Sequence, residues 1–340
     1  MKFVLSCLLS CWVLCLIAQE RPVIFPEDID AGAVNIRCLC KPGVVNKSRS
    51  RGIDIAYQLT TNANLEEQNN VLLPPLSRLR TLQLFILKLK APIINKEGFK
   101  LLLGYNYMPE RYSFERIGED FGSAFRSLDE KRLKSNALSL LATYSINDRY
   151  YASVRGRVAA NGDYESWIDF DNRYAVYNLI SIFGIKKRED TEWGFGLSFS
   201  HSFRRTIALP FLFYNRSFNE KWGIESVLPV MIMGRYNIKP GSILLFGFTY
   251  NSRSYSVDLD NPETFNPSIY HLNHSELLIQ TSLEQQIIPW LWFNVRGGFQ
   301  FNFSTDFELE GEGPGSFQVD PQDAFFFRVG IFLSPPDKFF

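Results

Sequence analysis

The sequence is poor in the residues that carry most protein chemistry. Its 340 residues include 3 histidines, 4 methionines and 5 cysteines. Cys7, Cys11 and Cys15 fall in the first apolar stretch, which leaves Cys38 and Cys40 separated by a single residue. So small a disulfide ring is strained, and no second pair completes a zinc site. A locally oxidised or free pair is the simpler reading. His271 and His274 in "HLNH" are three apart, which on a strand puts them on opposite faces and spoils a shared metal site. No metal and no cofactor is expected. Lys and Arg total 36 against 36 Asp and Glu, so charge points to no polyanionic partner and no nucleic acid. Glycines are scattered, and no period of a solenoid or propeller recurs.

Long apolar runs are also missing after the start of the chain. No stretch of about 18 apolar residues follows the first twenty or so, so no helix is expected to span a membrane. The opening "MKFVLSCLLSCWVLCLIAQE" has Lys2 and then an apolar run to Ile17, the form of a secretory signal peptide. Cleavage is expected after Ala18, although Leu16 is larger than the usual small residue. A lipoprotein site at Ser10–Cys11 would follow a very short apolar run.

What the chain has in quantity is aromatic residues, 30 Phe and 15 Tyr, arranged with a period of two. In "WGFGLSFSHSF", Trp193, Phe195, Leu197 and Phe199 alternate with Gly194, Gly196, Ser198 and Ser200. In "LWFNVRGGFQFNF", Leu291, Phe293, Val295, Phe299, Phe301 and Phe303 share a face opposite Asn294, Arg296, Gly298, Gln300 and Asn302. Successive strand side chains point to opposite sides. A secreted β-sandwich also alternates. Strands of about ten residues, aromatics near strand ends and a Gly/Ser/Asn/Arg-bearing polar face favour a transmembrane barrel.

The segment "AFFFRVGIFL" shows why such a strand can hold a charge. Phe325, Phe327, Val329, Ile331 and Leu333 would face lipid, while Phe326, Arg328, Gly330 and Phe332 face the lumen. An arginine on the lipid face costs roughly 2–4 kcal/mol at mid-bilayer, whereas in a lumen it pairs or stays hydrated. This register implies that Gly330 tolerates serine. As the last strand, the segment would close the barrel.

Strands are predicted over 51–59, 79–90, 98–108, 134–145, 150–159, 173–186 and 193–203. They continue over 206–216, 222–228, 230–238, 242–257, 269–282, 290–303 and 324–334. The fold class is thus all-β, an antiparallel up-and-down transmembrane barrel of 12 to 14 strands. Short turns such as "INDR", "FNEK" and "IKPG" would be periplasmic. The stretches 109–133, 160–172, 258–268 and 304–323 would be extracellular loops, the first with a short helix near 118–130. Asp306, Glu308, Glu310 and Glu312 are expected on a solvated loop near lipopolysaccharide. The implied organisation is a signal peptide at 1–18, a periplasmic segment at 19–50 and the barrel at 51–340. The basic "CKPGVVNKSRSRG" would tether the first strand.

The closing "FFFRVGIFL", the hairpins "YSINDRYYASV" and "YNRSFNEKWGIESVLP" and the signal peptide together resemble Gram-negative outer-membrane β-barrel proteins. More narrowly, the chain from about residue 50 onward is similar to a barrel family whose function is not established. The resemblance implies the outer membrane, contact with its lipid and lipopolysaccharide, and assembly by the barrel-insertion machinery through the last strand. One departure is that "SPPDK" separates that strand from Phe339 and Phe340.

The lumen face is expected to carry Lys100, Arg155, Arg157, Arg235, Arg296 and Arg328 with Glu225, Glu276, Gln280 and Gln300. Such arginines either favour anion passage or form an Arg–Glu network that fills the interior. Arg296 and Arg328 should lie on neighbouring strands, with Glu276 as the nearest acidic partner. Trp292, Phe326 and Phe332 also point inward and argue against an open aqueous pore. The function implied is a passive channel, a small-solute transporter or a structural envelope component. The alternative is a barrel-embedded lipid enzyme at His201, beside Ser200 or Ser202, whose side chains would point away from it.

Overall fold

The structure is a computed structural model that describes residues 43–67, 77–96, 98–118, 121–167, 169, 171–203, 205–311 and 314–334. The signal peptide, Cys38, Cys40, Glu312 and the final "PPDKFF" lie outside the described residues. The elements in chain order are β1 (Ile53–Glu67), β2 (Arg78–Lys96), β3 (Phe99–Arg116), α1 (Gly122–Asp129), β4 (Leu133–Ser145) and β5 (Tyr150–Gly162). Then follow β6 (Ala175–Arg188), β7 (Thr191–Ser202), β8 (Arg205–Ser217), β9 (Trp222–Leu228) and β10 (Met231–Lys239). The chain finishes with β11 (Ser242–Asp260), β12 (Pro267–Ile288), β13 (Leu291–Leu309), β14 (Phe317–Pro321) and β15 (Ala324–Leu333).

Successive strands pair antiparallel from β1 to β13, and β15 pairs with both β13 and β1. β14 lies between the same two neighbours further up, so β14 and β15 are two parts of one wall strand. The result is a closed barrel of 14 strands. Closure joins the first and last strands of the sheet, as a wall in lipid requires because hydrocarbon offers backbone groups no partner.

The two ends differ. Short turns join β2–β3, β4–β5, β6–β7, β8–β9, β10–β11 and β12–β13 at one end, hereafter the turn end. Longer connections, including α1, lie at the loop end, where β7–β8 and β9–β10 are nevertheless joined by short turns. The outside is an apolar belt on which Phe195, Leu197, Phe199, Leu212, Phe246 and Ile279 are exposed. At its turn-end margin Tyr150, Trp193, Trp222 and Trp290 are exposed, the place where aromatic rings meet headgroups. On β15, Phe325, Phe327 and Ile331 face outward at 69%, 53% and 44% exposure, while Phe326, Arg328 and Phe332 are at 3%, 4% and 1%.

Several strands run past their predicted limits because pairing continues above the belt. β11 and β12 stay in register from Ser242↔Gln285 to Asp260↔Pro267. The stretch 304–323 is not one loop: β13 runs to Leu309, and β14 occupies 317–321. Asp306 and Glu308 are therefore wall residues, Asp306 buried and Glu308 paired with Arg205 of β8. Gly330 also departs from expectation. A Cβ there would lie 2.7 Å from the Ala56 Cβ and 2.7 Å from the Ile55 carbonyl, so serine would push β1 and β15 apart.

A bend in β11 sets the architecture of the mouth. Below Gly247 the strand pairs with β10. Above Tyr250 it turns inward, and Ser256 bridges to Gly162 of β5 across the mouth. Gly247 has φ +154°, and a Cβ would lie 2.0 Å from the Ile232 carbonyl. No side chain fits there without separating β10 from β11. Gly247→Ala should therefore lower the temperature at which the folded, heat-modifiable band is lost on gels. An unchanged transition would contradict this account of the bend.

Candidate functional site

Both ends of the lumen are occupied by protein. At the turn end residues 43–52 form a strap that crosses the barrel before β1 begins. The Gly43 N–H donates to Glu192 Oε1 of β7 at 2.8 Å. The Val45 N–H donates to the Glu189 carbonyl at 3.0 Å, and Ser217 Oγ of β8 donates to the Val45 carbonyl. Ser48 donates through N and Oγ to the Glu225 carboxylate of β9 at 3.0 and 2.7 Å. Arg51 pairs with Glu284 of β12 and with Asp54, and stacks over Phe332, while Arg49 lies over Trp292.

The strap's basic sequence therefore meets an acidic ring on the wall. Glu192 is fully buried and also accepts from the Tyr151 hydroxyl and Asn215 Nδ2 at 2.7 and 3.1 Å. Glu225 accepts in addition from Arg235 Nη1 at 3.2 Å, whose Nη2 donates to Ser217 Oγ at 2.7 Å. A carboxylate is stable at such depth only when paired and hydrogen-bonded.

At the loop end α1 sits in the mouth. Its Ala124, Phe125 and Leu128 are buried in one cluster with Leu79, Tyr112, Val257, Tyr270, Phe307 and Phe317. These come from strands around the barrel, so the cluster is an apolar cap. Beneath it Arg253 of β11 spans two walls: Nη1 reaches Glu110 Oε2 of β3 at 2.7 Å and Nη2 reaches Glu276 Oε1 of β12 at 2.5 Å. The Tyr112 hydroxyl donates to Glu110 Oε1 at 2.7 Å, Asn251 Nδ2 to Glu276 at 3.1 Å, and His274 Nε2 lies 3.3 Å from Glu276 Oε2.

Between strap and cap lies a cavity of about 160 Å³. Lys88 and Lys90 of β2, Arg296 of β13 and Arg328 of β15 line it from the wall, and Lys47, Arg49 and Arg51 from the strap. The lining carboxylates are Asp54, Glu225 and Glu284. Among the described residues, seven cations and three carboxylates line the chamber. Arg296 and Arg328 stand directly opposite each other in the β13–β15 register; like charges so placed repel. The facing wall, from β9 to β11, adds the apolar Val227, Val230, Met231, Met233 and Leu245 beside Glu225, Thr249 and Tyr250.

Four of the lumen residues read from the sequence line this chamber: Glu225, Gln280, Arg296 and Arg328. Arg235 belongs to the strap network, and Glu276 belongs to the cap. Arg155 and Arg157 are buried on the inner face of β5, Arg157 donating to Asn178 at 3.2 Å. Gln300 accepts from Thr60 at 3.2 Å. Lys100 stands on β3 opposite Thr143, near the turn end. The expected link from Arg296 to Glu276 is corrected. Arg253 holds Glu276, because the inward bend of β11 brings that guanidinium over the lumen.

Lys88 and Lys90 were missed because the inner parity of β2 also carries Leu82, Leu84 and Ile86, so neither face looks polar. His201 faces outward at the loop end, its Nδ1 2.7 Å from Thr206 Oγ1, while Ser200 and Ser202 point into the barrel. Among the described residues no group of acids, histidines or cysteines could hold a metal ion.

A family described as "Domain of unknown function (DUF6268)" matches residues 123–334, well over half of the chain. The chain belongs to this family. The DUF6268 match runs from α1 through β15, so it includes the cap helix and most of the wall. No curated protein sequence matches. Among solved structures the chain is similar to an outer-membrane channel from Pseudomonas putida F1, with 12% identity, TM-score 0.43, 86% of this chain and 99% of that one covered. It is also similar to a Pseudomonas aeruginosa FadL homologue, with 10% identity, TM-score 0.39 and coverages of 83% and 90%. The translocator domain of the autotransporter NalP from Neisseria meningitidis matches with 10% identity, TM-score 0.31 and coverages of 85% and 90%. The closed wall of this DUF6268 barrel follows from its own strand pairing.

Truncating Arg253 tests the cap. Arg253→Ala would leave Glu110 and Glu276 buried without their cation, a loss of roughly 3–5 kcal/mol. The expected result is a lower unfolding temperature in detergent; no change would contradict the network.

Proposed function

We propose that this chain is a Gram-negative outer-membrane barrel that admits a small anionic solute to an internal chamber. The turn end is periplasmic and the loop end extracellular, with a cleaved signal peptide and assembly through β15. The carrying observation is that, among the described residues, cations outnumber carboxylates around the chamber. Cations fixed inside a low-dielectric wall concentrate anions and exclude cations. The apolar belt with its aromatic margin supports the membrane placement, since so large an exposed apolar surface has no place in water.

In this reading the strap keeps the passage shut at rest. It hydrogen-bonds Glu225, neutralises Glu284 and lends the chamber three of its cations. A wide water-filled pore is the wrong picture. The barrel is a narrow, gated path.

Conductance across planar bilayers tests this. The wild-type barrel should conduct weakly. The pair Ser48→Ala and Arg51→Ala removes the strap's side-chain bonds to Glu225, Glu284 and Asp54, and should raise conductance several-fold with anions favoured. Conductance that stays the same, or that rises with cations favoured, would overturn the proposal.

A further inference from the structure

We propose that Thr305, His274 and Glu276 form a hydrolytic site under the cap, acting on a short-chain acyl ester. The site stands apart from the chamber and does not depend on the anion reading of it.

The β12–β13 register brings the three side chains together. His274 stands directly opposite Thr305, and Glu276 opposite Asn302. Between these pairs Ser275 faces two residues of β13, so a bulge interrupts the ladder. In a regular strand Asn302 and Thr305, three apart, would lie on opposite faces. With the bulge both line one pocket, together with His274 and Gln300. Bulges re-aim side chains in this way beside functional sites.

The hydrogen bonds run in one direction. Glu276 Oε1 accepts from Arg253 at 2.5 Å and from Asn251 at 3.1 Å, which keeps the group a carboxylate. Its Oε2 lies 3.3 Å from His274 Nε2. A carboxylate only accepts, so Nε2 carries the hydrogen and Nδ1 keeps its lone pair. That nitrogen is 2.8 Å from the Thr305 hydroxyl. A hydroxyl on an imidazole that a carboxylate orients is the arrangement that activates a nucleophile.

A polar network kept only for packing fills its space. This one borders a void of about 40 Å³, walled by Leu82, Phe125, Leu128, Phe307 and Val319. A water needs roughly 10–15 Å³ of such space, so the void takes an acyl group of a few heavy atoms and excludes a fatty chain. Two side-chain amides line it as well. Gln300 Nε2 donates to Asn302 Oδ1 at 2.6 Å, and Asn302 Nδ2 to the Gln322 carbonyl at 2.8 Å. Each amide nitrogen carries a second N–H, and one such donor on a developing oxyanion is worth about 10²–10³ in rate.

The reaction closes on these groups and water. Thr305 Oγ1 attacks the ester carbonyl carbon while His274 Nδ1 takes its proton, and the carbonyl oxygen becomes an oxyanion beside the amides. Collapse breaks the bond to the alcohol oxygen, which leaves with the proton from His274. A water then gives a proton to His274 and attacks the acyl-threonine. The carboxylic acid departs, and His274 returns the proton to Thr305 Oγ1.

Ester turnover by the full-length protein in neutral detergent tests this, with p-nitrophenyl acetate and p-nitrophenyl octanoate as probes. The acetate should be cleaved above its uncatalysed rate, with kcat/KM at least about tenfold above that for the octanoate. Thr305→Val keeps the shape and should abolish turnover, whereas Thr305→Ser should retain it. His274→Asn should lower kcat about a hundredfold or more. Glu276 is a positioning residue, and Glu276→Gln should lower kcat with KM unchanged. Should Thr305→Val fail to fold, acid quench of the wild type during turnover and peptide mass analysis should find the acetyl group on Thr305. Turnover that survives Thr305→Val would overturn the site, as would the absence of both turnover and a Thr305 adduct. Octanoate cleaved through Thr305 as fast as acetate would overturn the short-chain class.

Discussion

The rest of the structure depends on one constraint: inside a bilayer each backbone N–H and C=O must find its partner within the protein. The barrel meets it by closing β15 onto β1 from Ile53↔Leu333 to Thr61↔Phe325. Closure fixes the side-chain register, and a slip of one residue would move Arg328 from lumen to lipid.

The interior is organised by charge in two layers. Near the turn end, wall carboxylates Glu192, Glu225 and Glu284 meet the basic strap. Near the loop end, Arg253 meets Glu110 and Glu276. Each network pairs its carboxylates with cations or with hydroxyl and N–H donors. The layer between them holds Arg296 and Arg328, directly opposite each other in the β13–β15 register.

Much of the wall was legible in the sequence because its period of two is enforced on both faces. Phe325, Phe327 and Ile331, like Trp193 to Phe199, read as one face and stand exposed on the outside of the wall, and the strand count of 14 was within the expected range. Strand ends were not legible, because β11, β12 and β13 rise past the lipid belt, where membrane depth no longer selects residue type. The site was legible in part. Arg296 and Arg328 stand out as charges within apolar strands. Lys88 and Lys90 are hidden among leucines, and Arg253 acquires its role only through a bend at Gly247 that no local pattern announces. The strap's path through the lumen was likewise invisible, since "VVNKSRSRG" reads as any basic linker until Glu225 and Glu284 are placed opposite it.

The central claim is that the space between strap and cap prefers anions. Crystals of the protein soaked in bromide, with anomalous scattering recorded at the bromine edge, test it directly. A bromide peak inside the barrel beside Arg296 and Arg328 is the expected result. Bromide found only on the outer surface, or rubidium occupying the chamber in a parallel soak, would contradict the account.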